Sequence, residues 1–208
     1  MEPFIVHVGR AVALRRDNID TDQIVPGEFC KRVTKSGYED ALFARWREQP
    51  GFVLDRPEHR GSSILLAGRD FGIGSSREHA VWALRDGGFK VVVATGFGDI
   101  FRRNATNNGL LLVDLLEPAV RSLMELAEKD TGLAVTVDLA RCRIAAAGRD
   151  WPFAIEPRAR RRMLAGEDPI AATLRHADRI AAYERGRSDW LPALGGYGAA
   201  RERPYADR

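Results

Sequence analysis

Residues 68–80 have the sequence Gly-Arg-Asp-Phe-Gly-Ile-Gly-Ser-Ser-Arg-Glu-His-Ala, and they lie between two apolar patterns. The run at residues 64–67, Ile-Leu-Leu-Ala, comes before them and predicts a buried strand. Apolar residues from Ala80 onward recur at helical spacing and predict a helix over about residues 77–87. The chain therefore passes from a strand through a glycine-rich turn into a helix, which is an α/β pattern.

The start of the predicted helix is suited to bind an anion. The first N–H groups of a helix have no helical partner, and the helix dipole favours negative charge there. Ser75, Ser76 and Arg77 would bring two hydroxyls and a guanidinium to this point. Two interpretations remain open: Ser75 and Glu78 have the spacing of a capping box, or Ser75 acts on the bound anion. The glycines match neither the dinucleotide fingerprint nor the Walker pattern, because the third glycine and the lysine are missing.

The composition indicates a soluble globular chain of one domain, or one domain with an appended subdomain. Of its 208 residues, 45% are hydrophobic and 29% are charged. No run approaches the length of a membrane helix, and residues 1–4 do not resemble a signal peptide, so we expect a cytoplasmic protein with no membrane partner. The net charge is only +3, and we interpret the basic run at residues 158–162 as a solvated helix face, with no nucleic acid as partner.

Cysteine usage limits the cofactors that this chain can hold. Cys30 and Cys142 are far apart and too few for an iron–sulfur or all-thiolate metal site. The four histidines stand apart from other ligand-type side chains. We therefore expect no metal in this chain, and a cluster would have to come from another chain.

Alternating strands and helices predict a parallel sheet, because short strand–helix–strand units make right-handed crossovers between parallel strands. A helix is expected to begin at Pro118, and another at Pro169. Strands are expected at about residues 4–14, 62–67, 89–94 and 109–114, and further along near 133–139, 142–147 and 151–155.

Beyond Glu156 the pattern becomes helical. We therefore divide the chain into an α/β domain at residues 1–156 and a helical C-terminal extension and tail at residues 157–208. The part after Arg185 is rich in Gly, Pro and Arg, and we expect it to be poorly ordered.

Two further polar segments are candidates for the site. Residues 18–26, Asn-Ile-Asp-Thr-Asp-Gln-Ile-Val-Pro, hold two carboxylates that could bind a cation, orient an arginine or cap a turn, the last being the default. Residues 97–109 follow the strand predicted at 89–94, at the edge where open parallel sheets build their sites. The arginines of this second segment could meet a carboxylate or only solvent.

In this order, the three segments resemble the small subunits of the 3-isopropylmalate dehydratase family, which are relatives of the swivelling domain of aconitase. The matching stretches are residues 18–26, 70–80 and 97–111, and the resemblance extends along most of residues 4–185. Gly-Ser-Ser-Arg-Glu-His-Ala at residues 74–80 is the most specific match. The resemblance implies an aconitase swivelling-domain-like α/β fold with β/β/α layers and a helical C-terminal extension.

The resemblance also implies an activity, that of a hydro-lyase of leucine biosynthesis. Such an enzyme interconverts 2-isopropylmalate and 3-isopropylmalate through 2-isopropylmaleate. By analogy, Ser75 is the general base that removes and returns the carbon-bound proton, while Ser76 and Arg77 hold a carboxylate of the dicarboxylate hydroxy acid. A large subunit would supply a [4Fe–4S] cluster for the leaving hydroxyl, and the chain alone would be inactive.

The family's substrate-recognition loop corresponds to about residues 26–37, called the recognition loop below. Its expected substrate-binding residues are Cys30, Lys31 and Arg32. Relatives commonly carry leucine where this chain has Cys30, so the position stays apolar but becomes smaller. The expected supporting residues are Asp20, Thr21, Asp22, Gly72, Gly74 and Asn104.

Three other functions remain open on the sequence. A related hydro-lyase would act on methylmalate, homoaconitate or dimethylmalate. A non-catalytic anion-binding or regulatory module would use the same helix N-terminus without chemistry. A nucleic-acid binder would bind DNA with a steep dependence on salt.

Overall fold

The computed structural model describes residues 1–188, 190 and 191, so most of the predicted tail lies outside the described residues. Its contacts divide the chain into two units, Met1–Asp168 and Pro169–Arg208. The division predicted after Glu156 remains a prediction of domain organisation.

Parallel strands form the centre of the first unit, as predicted. Within it, Val12 pairs with Leu65, Leu65 with Val92, and Val92 with Leu112, all in parallel register. Both faces are buried where these strands pair, at residues 11–14, 64–67, 91–94 and 111–113, which explains the nearly continuous apolar sequence there. The strands are β1 (Val6–Leu14), β2 (Ile64–Phe71), β3 (Val91–Phe97) and β4 (Leu111–Asp114).

Helices connect the parallel strands and cover both faces of the sheet. The β2–β3 and β3–β4 crossovers contain α3 (Glu78–Asp86) and α4 (Asp99–Asn107), and α5 (Glu117–Lys129) follows β4. The long β1–β2 connection contains only the short α1 (Thr21–Ile24) and α2 (Ala44–Arg47), with 3-10 turns beside them. The apolar face predicted for α5 is buried and consists of Val120, Leu123, Met124 and Ala127.

An antiparallel extension completes the sheet, which has the order β4-β3-β2-β1-β5-β6-β7. Its strands are β5 (Ala134–Asp138), β6 (Arg143–Ala146) and β7 (Arg149–Pro152), and β5 pairs with β1. An antiparallel bridge between Asp114 and Ala154 connects β4 to the segment after β7. The next helix, α6 (Pro157–Ala165), is capped by the Glu156 side chain, and its Met163 is buried in the core of this first unit.

Two apolar clusters pack on opposite faces of the parallel strands. Alternate residues of each strand go to opposite clusters: Leu65 packs in one and Ile64 in the other. The first cluster includes residues of α3 and α4, and the second includes α5 and the antiparallel strands. The predicted α/β class is therefore confirmed.

The second unit contains α7 (Pro169–Leu174) and α8 (Ala177–Arg185). Pro169 is the first residue of α7, as predicted. Across the described residues, no helix has the length and apolar character needed to cross a membrane.

Candidate functional site

The turn between β2 and α3 is fixed by the segment that leads into α1. The Gly72 N–H donates to the Ile19 carbonyl at 2.7 Å, and the Thr21 N–H donates to the Ile73 carbonyl at 2.9 Å. The buried hydroxyl of Thr21 donates to the carbonyl of Ser75 at 2.9 Å. The first two predicted segments therefore form one structure, with Thr21 holding the backbone at Ser75.

The third segment packs beneath the same turn. The Gly98 N–H donates to the Phe71 carbonyl at 3.0 Å. Gly72 has a φ of +73°, and a Cβ at this position would lie 2.3 Å from Cγ of Phe101. Only glycine lets the turn lie directly on the ring of α4, which explains the glycine by both conformation and space.

The two carboxylates at residues 20 and 22 have separate tasks. Asp20 is the N-cap of α1: its Oδ1 accepts from the N–H groups of Asp22 and Gln23 at 2.8 and 2.7 Å. The Gln23 side chain completes a capping box with the Asp20 N–H. Asp22 instead forms an ion pair with Arg77. Of the three interpretations left open by the sequence, the structure realises capping for Asp20 and arginine orientation for Asp22.

Ser75 and Ser76 are exposed just before α3. The capping-box interpretation of Ser75 and Glu78 is wrong, because the N-cap is Arg77 and no side chain caps this helix. The chain is still extended at Arg77, with φ −113° and ψ 99°, so the helix begins only after it, and the Ser75 carbonyl accepts from the Thr21 hydroxyl. Both serine hydroxyls lack a hydrogen bond to any residue in the described part of the chain. They are free to contact a ligand.

Arg77 lies beside these serines with only 24% of its side chain exposed. Its Nη1 donates to Oδ1 of Asp22 and lies 3.4 Å from the Val25 carbonyl. The same Asp22 oxygen accepts from the Gly27 N–H at 3.0 Å. Asp22 therefore connects the guanidinium to the first residue of the 3-10 turn Gly27–Lys31 in the recognition loop.

The three predicted substrate-binding residues of the recognition loop are placed differently. Cys30 is half-buried and Lys31 is exposed. Arg32 forms a bidentate ion pair with Asp40, with two N–O distances of 2.7 Å. This hydrogen-bonded pair raises the pKa of Arg32 and lowers the pKa of Asp40 from their ordinary values. Lys31 forms no ion pair with any described residue.

The remaining predicted supporting residues lie in the turn itself and on α4. Gly74 has a φ of +89°, and a Cβ there would lie 3.5 Å from Asp20, an ordinary contact. Asn104 lies half-buried on α4, and its carbonyl accepts from the Asn108 side chain at 2.8 Å. Arg102, on the same helix, pairs with Asp114 at 2.8 Å, while Arg103 is exposed.

Asn108, to which the sequence pattern assigned no role, joins α3 to α4. Its Oδ1 accepts from the Trp82 indole at 3.1 Å, and its Nδ2 donates to Glu78 at 2.6 Å. Tyr38 is a second residue that was missed, although it is completely buried. The only sign of it in the sequence was an aromatic residue directly after the recognition loop.

His79 is the titratable ring nearest to Arg77 in the sequence, and it packs between aromatic rings. Its centroid lies 5.5 Å from that of Tyr38 and 4.7 Å from that of Trp82. Burial lowers the pKa of His79 below 6.5, an effect that Glu78 opposes. His79 is therefore packed against these two rings.

The residues present do not suit an iron–sulfur cluster. Within the described residues, no group of three His, Cys, Asp or Glu side chains is close enough to hold a metal ion. Cys30 and Cys142 are both free and half-buried. A cluster would need ligands that this part of the chain does not bring together.

Comparison with known proteins supports the same family as the sequence pattern. Residues 1–118 match the family model of the aconitase C-terminal domain. Residues 170–196 match the model of the C-terminal domain of the 3-isopropylmalate dehydratase small subunit. The chain is 54% identical to the 3-isopropylmalate dehydratase small subunit of Acidothermus cellulolyticus, over 92% of this chain and 98% of that protein. The chain belongs to the family of 3-isopropylmalate dehydratase small subunits.

Other relatives of this small subunit give the same result. The 3-isopropylmalate dehydratase small subunit of Thermobifida fusca is 52% identical over 92% of this chain and 98% of its own length. The crystal structure of 3-isopropylmalate dehydratase from Methanocaldococcus jannaschii superposes with a TM-score of 0.63 at 26% identity. It covers 86% of this chain and 99% of its own. The swivelling-domain fold expected from the sequence is thereby confirmed.

Proposed function

We propose that this small subunit acts with a large subunit as the hydro-lyase that interconverts 2-isopropylmalate and 3-isopropylmalate in leucine biosynthesis, with Ser75 as general base. The observation that carries the proposal is the exposed, unpaired hydroxyl of Ser75 beside the half-buried Arg77. The chain is also about half identical to named small subunits of this enzyme, over nearly their whole length.

The proposed step on this chain is a proton transfer at Ser75 Oγ. The alkoxide takes the carbon-bound proton of the substrate while the bond from the neighbouring carbon to the substrate's hydroxyl breaks, which leaves the double bond of 2-isopropylmaleate; the released hydroxide would be held by the large subunit. In the reverse direction the Ser75 hydroxyl returns its proton to one carbon as hydroxide adds to the other. An alcohol keeps its proton at neutral pH unless its anion is strongly stabilised. A helix N-terminus supplies at most about 2 kcal/mol, or roughly 1.5 pKa units. Further N–H donors must therefore point at the oxygen in a site that excludes water.

Arg77 is suited to bind a substrate carboxylate in this scheme. A guanidinium can hold a carboxylate with two parallel hydrogen bonds, which fixes the substrate relative to Ser75. Its contact with Asp22 holds the guanidinium in place beforehand. Ser76, the exposed neighbour, is assigned to the same carboxylate.

The large subunit is proposed to complete the site. Ser75 and Ser76 lie on the surface of this chain, where water would solvate an alkoxide and a carboxylate. A covering partner would exclude that water. In this proposal the [4Fe–4S] cluster belongs to the large subunit, the ligand of the completed site is a dicarboxylate hydroxy acid, and the complex works in the cytoplasm.

Reconstitution tests the proposal directly. The purified chain, a cluster-bearing large subunit and their anaerobic mixture are each assayed with 2-isopropylmalate and 3-isopropylmalate. We expect turnover only from the mixture. Turnover by this chain alone would contradict a site shared between two subunits.

Variants at the serines test their separate roles. Ser75→Ala should lower kcat by about a thousandfold, within the range of general-base catalysis, while Ser76→Ala should mainly raise KM. Neither change should alter the free energy of unfolding measurably, because neither hydroxyl caps α3. Full turnover in Ser75→Ala would exclude this serine as the base.

The substrate's alkyl group is tested in the same assay. Isopropylmalate should be turned over faster than methylmalate, because the half-buried Cys30 keeps the recognition loop apolar at this position. Cys30→Leu should increase that preference. Equal turnover of the two substrates would favour a related hydro-lyase instead.

A further inference from the structure

The exposed part of the recognition loop is held from inside by a buried tyrosine. The phenol oxygen of Tyr38 lies 3.1 Å from the Thr34 carbonyl and 3.3 Å from the Arg32 carbonyl. Tyr38 is 0% exposed, whereas Val33 between these two carbonyls is 99% exposed. One buried side chain thus fixes the backbone on both sides of an exposed tip.

The same tyrosine ties the loop to the helix that follows Ser75 and Arg77. Its N–H donates to Asp86 of α3 at 3.0 Å, and its ring packs 5.8 Å from that of Trp82 on the same helix. The recognition loop and the turn that holds Ser75 are therefore fixed to one helix, one near its C-terminal end and the other at its start.

Arg32 closes the loop from the outer side. Besides its two bonds to Asp40, its Nη1 donates to the Gly37 carbonyl at 2.6 Å. Its guanidinium carbon lies 4.9 Å from the ring centre of Phe29 and 5.4 Å from that of Tyr38. The side chain therefore spans the loop from Arg32 to Asp40, and its charge is already paired.

We infer that Arg32, Tyr38 and Asp40 are positioning residues that order the recognition loop before substrate binds. The inference rests on the proposed function. It replaces the role expected for Arg32 as a substrate ligand, because binding a substrate would require breaking its pair with Asp40. A loop ordered in advance loses less conformational freedom on binding, so it lowers KM without taking part in proton transfer.

Kinetics of the reconstituted enzyme distinguish the two roles of Arg32. If Arg32 positions the loop, Asp40→Asn should raise KM for isopropylmalate by about fivefold and leave kcat within about twofold. If Arg32 binds substrate, removing the Asp40 carboxylate would free the Arg32 guanidinium for the substrate, and KM would stay equal or fall. That result would overturn the inference.

A charge exchange provides the matched control. Arg32→Asp alone should raise KM, and adding Asp40→Arg should bring KM part of the way back, because the ion pair forms again with reversed ends. If Arg32 bound substrate directly, an arginine at position 40 would not restore that contact, and KM would stay high. Failure of the double variant to recover would therefore argue against a positioning role.

Proteolysis tests the ordering of the loop without any activity. Trypsin should cut the wild-type chain slowly after Lys35, and about fivefold faster in Asp40→Asn and Tyr38→Phe, because loop opening precedes cleavage. Equal cleavage of all three proteins would overturn the inference even if the reconstituted enzyme is active. An inactive complex with slow wild-type cleavage would instead count against the proposed function alone.

Discussion

At the scale of one residue, the proposed function requires a guanidinium at the start of α3. Arg77 pairs with Asp22 and, in that proposal, also offers a planar pair of N–H donors to a substrate carboxylate, a geometry that the ammonium of lysine lacks. We expect Arg77→Lys to raise KM by about tenfold, because lysine cannot form the planar, bidentate hydrogen bonds to a substrate carboxylate. Steady-state kinetics of the reconstituted enzyme measure this change.

Arg103→Lys is the matched control for this substitution. Arg103 is exposed on α4 and has no ion-pair partner among the residues described. Its KM and kcat should match those of the wild type. A similar rise in KM for both variants would mean that the effect does not depend on bidentate binding by Arg77.

The turn between β2 and α3 depends, as an element, on two glycines that differ in their surroundings. Gly72→Ala would place a methyl group against Phe101 in a left-handed conformation, and we expect it to lower the free energy of unfolding by about 3 kcal/mol. Gly74→Ala should cost only about 1 kcal/mol, because its Cβ meets nothing closer than 3.5 Å. Urea unfolding of both variants measures the difference, and equal losses would show that conformation alone sets the cost.

The whole molecule should become less stable as the solution turns acidic. Burial lowers the pKa values of His7, His59 and His79 below their ordinary 6.5, and Lys90 lowers that of His7 further. The unfolded chain then binds more protons than the folded one just below pH 6.5. The contribution of these histidines to the free energy of unfolding is therefore fully present above that pH and is lost as the pH falls below it. The urea midpoint should therefore decrease from about pH 7.5 to about pH 5.5.

A variant with glutamine at these three positions is the control for the pH effect. Its midpoint should change less over the same pH range, because the groups that take up protons on unfolding are gone. An unchanged slope in this variant would assign the effect to other groups.

The fold was predicted more fully than the site. The strands, their parallel pairing and the buried face of α5 followed from apolar periodicity, since each pattern lies within a few consecutive residues. The order of the parallel strands in the sheet was not predicted. The antiparallel joining of β5 to β1 was not predicted. Its partners lie more than a hundred residues apart in the sequence, and local periodicity carries no information on such pairing.

The sequence alone determined the strand–turn–helix at residues 64–86, the residue types that the turn presents, and a cysteine content too low for a cluster site. Tertiary structure decided which of those residues are free. It left the Ser75 hydroxyl without a hydrogen bond to the described residues, and it paired Asp22 with Arg77 and Asp40 with Arg32. The contacts that fix Ser75 and Arg77 join residues 54 and 55 positions apart, where only the folded chain brings donor and acceptor within reach.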